Sequence, residues 1–268
     1  MPFLRDWADL ADVMTGVNST SQDIATVGVK MVALELELDH HSHLKAELLL
    51  CLSGTFRCEV DGGIWIVPPQ SALWVPAGVT HRVRASGNIE SYTTFIPPHA
   101  AAKLPILSCT IDVTSLLREL IIRSAYFSLE NHEQELESNI ASLLLHEISN
   151  APVGNLHLPM PIDPKLRSIF HDLVANPSHR GTLEFWAKRV GLSVRSLERL
   201  IATETGMSFG KWRQRLSILL SVQWLANGVS VKQIACDLGY ENVGNFTTMF
   251  RKALGVSPTK YIAGRIKN

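Results

Sequence analysis

A chain of 268 residues, 46% apolar and 19% charged, has room for two ordinary domains. That composition excludes an unfolded chain, and no apolar run approaches the ~20 residues of a membrane-spanning helix. The formal charge of zero conceals a division: residues 1–160 hold 9 Lys/Arg against 18 Asp/Glu, while residues 161–268 hold 16 against 7, so the second part alone attracts polyanions.

The N-terminus lacks a basic stretch followed by an apolar one, and Cys51, Cys58, Cys109 and Cys236 lie apart without a CxxC pair. The expectation is a reduced, cytoplasmic protein with no membrane partner, no disulfide framework and no cysteine-based zinc site. Residues 25–98 read as strands, and Phe3–Val13 reads as a short helix packing on them. Val27–Leu38 alternates as a half-buried strand does. Glu47–Leu52 and Thr55–Val60 flank Ser53-Gly54, a hairpin turn signal. Asp61-Gly62-Gly63 marks another turn. Ile64–Val67 ends at Pro68-Pro69, and Ala72–Val75 ends at Pro76-Ala77-Gly78. Many short strands between Gly/Pro turns indicate an all-β barrel or sandwich.

Within this stretch His41-Ser-His43-Leu-Lys-Ala-Glu47, six residues and Gly54 fit the pattern HxHxxxE(x)6G, and Pro76-Ala-Gly78-Val-Thr-His81 fits PxGxxH. These resemble the two cupin motifs, which implies a double-stranded β-helix barrel. Gln70 and Ala85 depart from the pattern, standing where the motifs carry Gly and Asn. Residues two apart on a strand share a face, so His41 and His43 are expected to point inward, with Glu47 in the same parity and His81 arriving from the facing strand. Three imidazoles and a carboxylate suit a divalent transition metal (zinc, nickel, iron or manganese) with one or two positions open. Regulators that resemble this architecture also use the barrel for an organic ligand, so the effector is a small molecule or a metal. Cys51 and Cys58 read as small core residues.

From residue 112 the period changes. Leu116, Leu117, Leu120 and Ile121, then Leu136, Ile140, Leu143 and Leu144, recur at helical spacing, with a break near Ser128–Asn131. These stripes are packing surfaces, and a homodimer interface is one use of them. Ala151–Pro161, with three prolines and a glycine, reads as a linker. From Asp163-Pro164 onward the pattern is helical, with caps at Asp163, Thr182, Ser193 and Ser230.

The helical part repeats itself. Thr182 precedes Ala187 by five residues and Gly191 follows by four; Ser230, Ala235 and Gly239 keep the same spacing. The hydroxyl caps a first helix, the small alanine lets two helices cross closely, and the glycine ends the first helix in the left-handed conformation. Ser193, or Glu241-Asn242, then starts a second helix locked by Leu197 and Ile201, or by Phe246 and Phe250. This is the helix-turn-helix plan, twice, on a basic segment.

Residues 163–268 resemble the DNA-binding domain of the AraC/XylS family of regulators, most of all along Gly239–Tyr261. The resemblance implies two helix-turn-helix units joined by a long helix near Phe209–Ala226, entering adjacent major grooves of double-stranded operator DNA. It implies DNA contacts at Ser193, Arg195, Ser196, Glu198 and Arg199 in the first unit and at Asn242, Asn245, Thr248, Arg251 and Lys252 in the second. Of these, Arg195, Glu198, Arg199, Asn245 and Thr248 are the base readers. Arg251, Lys252, Lys211 and Arg213 suit phosphates. Val243 and Gly244 depart from a basic recognition helix, so the first unit is expected to carry most of the specificity.

The reading is an α+β chain: a cupin-like sensor domain over 1–105, a helical dimerisation region over 106–150, a linker over 151–162 and a DNA-binding domain over 163–268. The expected function is a sequence-specific transcription regulator, not an enzyme, whose barrel senses a small molecule or a metal. The alternative is a metal-dependent cupin enzyme, of dioxygenase or isomerase type, fused to a DNA-binding module.

Overall fold

The alternation and the turn residues have their structural counterparts in the computed structural model, which describes residues 3–4, 24–60, 62–127, 134–154 and 156–266. Two units divide the chain, Met1–Asp61 with Trp65–Leu156 and Gly62–Ile64 with His157–Asn268.

The strands up to residue 154 are β1 (Phe3–Leu4), β2 (Ala25–His41), β3 (Ala46–Val60), β4 (Gly63–Val67), β5 (Ser71–Val75), β6 (His81–Ile96), β7 (Cys109–Asp112) and β8 (Val153–Gly154). The hydrogen-bonded order is β1-β2-β6-β3-β5-β7-β8. The long pairs β2–β6 and β3–β6 are antiparallel. β3 therefore sits mid-sheet, and its apolar run Leu48–Leu50 is buried on both faces. Helices α1 (Ser115–Ser124) and α2 (Gln134–Asn150) cover this core with Leu117, Ile121, Leu144 and Ile148. Trp74 fills the centre and its indole N–H donates to the Pro105 carbonyl at 2.7 Å, satisfying a buried donor.

Three local expectations change. Ser53-Gly54 is not a hairpin turn: β3 runs through it as one strand, and the register against β6 shifts between Cys51 and Ser53 and again between Ser53 and Thr55. Gly54 has φ +75°, and a Cβ there would lie 2.9 Å from the Ser86 carbonyl oxygen. The glycine serves a bulge, which needs the same backbone freedom a turn does. Gln70, standing where the cupin motif carries glycine, also adopts a positive φ of 60°. Ala151–Pro161 is not bare linker: β8 pairs with β7 (Thr110↔Gly154, Ile111↔Val153), and β9 (His157–Pro159) comes after it. Pro152 and Pro159 stand at strand ends, where a missing N–H costs no ladder bond. Finally, Phe3–Leu4 pairs in parallel with Gly28–Val29 instead of starting a helix, and the remainder of that expected helix lies outside the described residues, as does the break at Ser128–Asn131.

The second unit holds seven helices among its described residues: α3 (Pro164–Ala175), α4 (Leu183–Arg189), α5 (Val194–Thr205), α6 (Phe209–Ala226), α7 (Val231–Asp237), α8 (Val243–Leu254) and α9 (Pro258–Ile266). Asp163, Thr182, Ser193 and Ser230 each accept backbone N–H groups at helix starts, as read from the sequence. The two repeats match bond for bond. Leu192 N–H donates to Ala187 O at 2.9 Å, and Tyr240 N–H donates to Ala235 O at 2.8 Å. Each second helix ends on a left-handed glycine, Gly206 or Gly255. No helix among the described residues is long and apolar enough to cross a membrane.

Candidate functional site

The barrel cluster is built at one end of the sheet. His41 closes β2 directly opposite His81, the first residue of β6. His43 lies in the bend between β2 and β3, where the Gly78 N–H donates to its carbonyl at 2.8 Å. Glu47 is the second residue of β3, between Val75 of β5 and Phe95 of β6. The four residues do converge, but not by the strand-parity route. β2 has ended at His41, and a bend, not a shared strand face, carries His43 and Glu47 into the cluster. His81 comes from the neighbouring strand of the ladder and not from across the barrel.

The side chains converge. One ligand atom from each of His41, His43 and His81 lies within 4.8 Å of the others. Glu47 Oε2 is 3.3 Å from His43 Nε2 and 3.0 Å from His81 Nε2. Phe95 meets the His43 ring edge-on at 5.5 Å between centroids. Two rings have their tautomers set from behind: His41 Nδ1–H donates to Asp39 O at 2.7 Å, and His81 Nδ1–H donates to Val79 O at 3.0 Å. In the neutral ring that leaves the lone pair on Nε2. Burial alone would raise the Glu47 carboxyl, but the rings of His43 and His81 against it hold it well below the usual carboxylate range. His41 is lowered, first by burial and then by the neighbouring imidazoles, against the pull of its bond to Asp39. A buried carboxylate gathered with three imidazoles is a donor set that fits a divalent cation. The Cys58 thiol is pushed up by burial and by the Glu47 charge, so it stays protonated.

The helical repeats place the expected DNA residues on two short helices. On α5, Arg195, Glu198 and Arg199 are exposed at spacings of three and four, which is one helix face. Ser193 caps that helix by accepting from Ser196 N–H at 3.1 Å, and the two hydroxyls lie 2.8 Å apart. On α8, Asn242 is the cap, its Oδ1 accepting from Asn245 N–H at 2.8 Å. Asn245 and Thr248 are exposed one turn apart, and Arg251 and Lys252 are exposed in the last turn. Lys211 is exposed at the start of α6. Arg213 is not a free phosphate partner: it is half-buried and donates from its guanidinium to the Gly181 carbonyl at 3.1 Å. Sequence reasoning also passed over Arg180, a loop arginine whose partners lie nearly sixty residues away, and Phe95, whose pairing with Glu47 across the ladder was its only signal.

Comparison with known proteins joins these two sites. Residues 37–148 match the model of an AraC-like ligand binding domain, and residues 186–264 match that of a helix-turn-helix domain. The chain is similar to the HTH-type transcriptional regulator NimR of Escherichia coli K12, 38% identical over 229 residues, which are 85% of this chain and 84% of that one. It is similar to the HTH-type transcriptional regulator RipA of Corynebacterium glutamicum at 32% identity over 108 residues, 40% of this chain and 33% of the relative. Among solved structures, ToxT from Vibrio cholerae O395 aligns over 91% of this chain and 98% of its own, at 14% identity and a TM-score of 0.39.

Proposed function

The chain belongs to the AraC family of DNA-binding transcription regulators with a ligand-binding domain, and on that footing we propose that its effector site is the His41–His43–Glu47–His81 cluster, loaded with one divalent transition metal. The observation that carries this is the set of imidazole tautomers. His41 and His81 spend Nδ1–H on backbone carbonyls, His81 Nε2 lies 3.0 Å from Glu47 Oε2, and one ligand atom from each of the three rings lies within 4.8 Å of the others. Zinc, nickel, iron and manganese all accept such a set. The bound metal would supply a Lewis-acid position for a small anionic or carbonyl-bearing effector; the chain orients the four ligands and excludes water with Phe95 and the strands around it.

The barrel is a sensor and not an enzyme in this reading. Glu47 is occupied as a ligand and Cys58 is held protonated, so neither serves as a free general base. Elemental mass spectrometry on untagged protein purified without chelator is the test. Near one equivalent of a single transition metal, lost in His41→Ala and in Glu47→Ala, supports the site. Metal-free protein whose DNA binding responds to an organic effector would leave the four residues as polar lining instead.

The DNA reading is that Arg195, Glu198, Arg199, Asn245 and Thr248 face base edges, while Ser193, Ser196, Asn242, Arg251, Lys252 and Lys211 hold the backbone. Affinity should then fall steeply with salt as phosphate contacts release counterions, and a flat salt response would count against it. A homodimer is supported by the stripe Leu136, Ile140 and Leu143 on α2, where the two leucines are 43% and 42% exposed. Sedimentation of Leu143→Glu against the parent chain tests it. Such a regulator works in the cytoplasm, beside the chromosome.

A further inference from the structure

The two helix-turn-helix units are joined in sequence through α6 alone, about 27 Å of helix that ends at Asn227 and a left-handed Gly228. One helix fixes a distance. The Val229 N–H donates to the Trp224 carbonyl at 2.9 Å and α7 and α9 pack on α6, so the second unit is held to the joining helix, yet none of these contacts reaches the first unit's loop to set its rotation there. Two recognition helices that enter one duplex need that rotation fixed as well.

A second attachment is present, and it comes from the loop between α3 and α4. Arg180 reaches the turn of the second unit and donates twice: Nε to the Gly239 carbonyl at 2.9 Å and an Nη to the Leu238 carbonyl at 2.8 Å. Its guanidinium also lies over the Tyr240 ring, 4.5 Å from the centroid. Those carbonyls end α7, where a cation is favoured by the helix dipole as well as by the bonds. The approach is close enough to dictate a residue: a Cβ on Gly239 would lie 2.6 Å from the Ser178 carbonyl oxygen. The same loop is tied to the joining helix, since Arg213 of α6 donates to the Gly181 carbonyl at 3.1 Å. Loop, joining helix and second turn form a closed triangle.

We propose that Arg180 is a positioning residue: by clasping the Leu238–Tyr240 turn it sets the orientation of α8 relative to α5, and so the spacing of the two DNA segments the protein reads at once. This rests on the reading that both helices enter DNA. A fork of two parallel donors is needed, so lysine replaces it poorly. Without the clasp the second unit still folds and still binds, but its effective concentration at the second segment drops because it samples other orientations.

The test uses the full chain and a duplex enriched from a random-sequence library by the wild-type protein, its two protected segments located by footprinting. In Arg180→Ala we expect affinity for that duplex to fall by about ten- to a hundredfold, toward that of a duplex with the second segment scrambled, while affinity for the scrambled duplex stays unchanged. Inserting one base pair between the segments should weaken the wild type and leave Arg180→Ala nearly indifferent. Arg180→Lys should lie between the two. A wild-type footprint of a single segment would overturn the two-reader reading and this inference together. Two protected segments with wild-type spacing dependence in Arg180→Ala would overturn this inference alone. Equal loss on both duplexes would make Arg180 a phosphate contact and overturn it too. If Arg180→Ala proves unstable by thermal melting, Tyr240→Leu, which removes the stacking face and leaves both carbonyls, carries the same spacing test.

Discussion

The two helix-turn-helix units share a skeleton and differ in nearly everything attached to it. Both pair a seven-residue helix with a twelve-residue one, cap each with a Ser, Thr or Asn side chain, cross at a buried alanine and turn on a left-handed glycine. The first locks its helices with Leu197 and Ile201; the second uses Phe246 and Phe250, extended by Tyr240 and Tyr261 into a run of rings 5.5 to 5.8 Å apart. The second helix of the first unit exposes two arginines and a glutamate, that of the second an asparagine and a threonine with its cations at the far end. The difference teaches that the backbone plan fixes where a side chain is presented and leaves free what is presented. The second unit puts its aromatic rings on the second helix, whereas the first buries its aromatic, Trp186, on the first helix against Phe185 and His179.

The largest effects should separate the two cores. Phe246→Ala should cost about 3–5 kcal/mol and Leu197→Ala about 2–5, both being fully buried. Amide hydrogen exchange should localise each loss to its own unit. Spread of the Phe246 loss into α4 and α5 would show that the units fold as one. Next comes the turn. Gly191 and Gly239 have φ near +70°, so alanine is strained at either, by about 1 kcal/mol. Around Gly191 a Cβ meets nothing within 4 Å, whereas at Gly239 it meets backbone. Gly239→Ala should therefore be the worse by a further ~1–2 kcal/mol in chemical denaturation. Equal costs would mean that the Ser178 loop yields easily, and would weaken the clasp at Arg180 with it.

The reading faces come third. Arg199→Ala should cost about 1–3 kcal/mol on the selected duplex and much less on random DNA, if the guanidinium pairs with a guanine edge. Asn245→Ala should cost about 1 kcal/mol or less, because the second helix brings no cation to the base edges beside it. Equal and large losses would erase the asymmetry read from Val243 and Gly244.

How much of this was legible in the sequence depends on how local each cause is. The caps at Asp163, Thr182, Ser193 and Ser230 act on N–H groups two or three residues away, and they were readable, as was α6 over Phe209–Ala226. Ser53-Gly54 was not, since a bulge and a turn both need positive φ and only the distant partners Ser86 and Glu90 distinguish them. The metal-type residues were legible as a spacing, but the bend that gathers them was not. Arg213 read as a surface cation because its partner, the Gly181 carbonyl, carries no sequence signal. Arg180 is the extreme case: a lone loop arginine becomes a structural clasp only through carbonyls 58 and 59 residues away.

The smallest effects belong to the caps, and they test where the helix starts lie relative to DNA. Ser193 and Asn242 each accept a backbone N–H three residues on. Alanine at either should cost about 1 kcal/mol of stability, with no large difference between the units. Asn242→Asp keeps an acceptor of nearly equal capping strength, so the fold should be unmoved in a thermal melt. It also adds a negative charge at the start of α8. If that end approaches phosphate, the variant should bind the selected duplex several-fold more weakly, and the gap should narrow as salt is raised, since screening shortens the reach of the new charge. Unchanged binding at low salt would place the start of α8 away from the backbone, and would confine the second unit's part in recognition to Asn245, Thr248 and the last-turn cations.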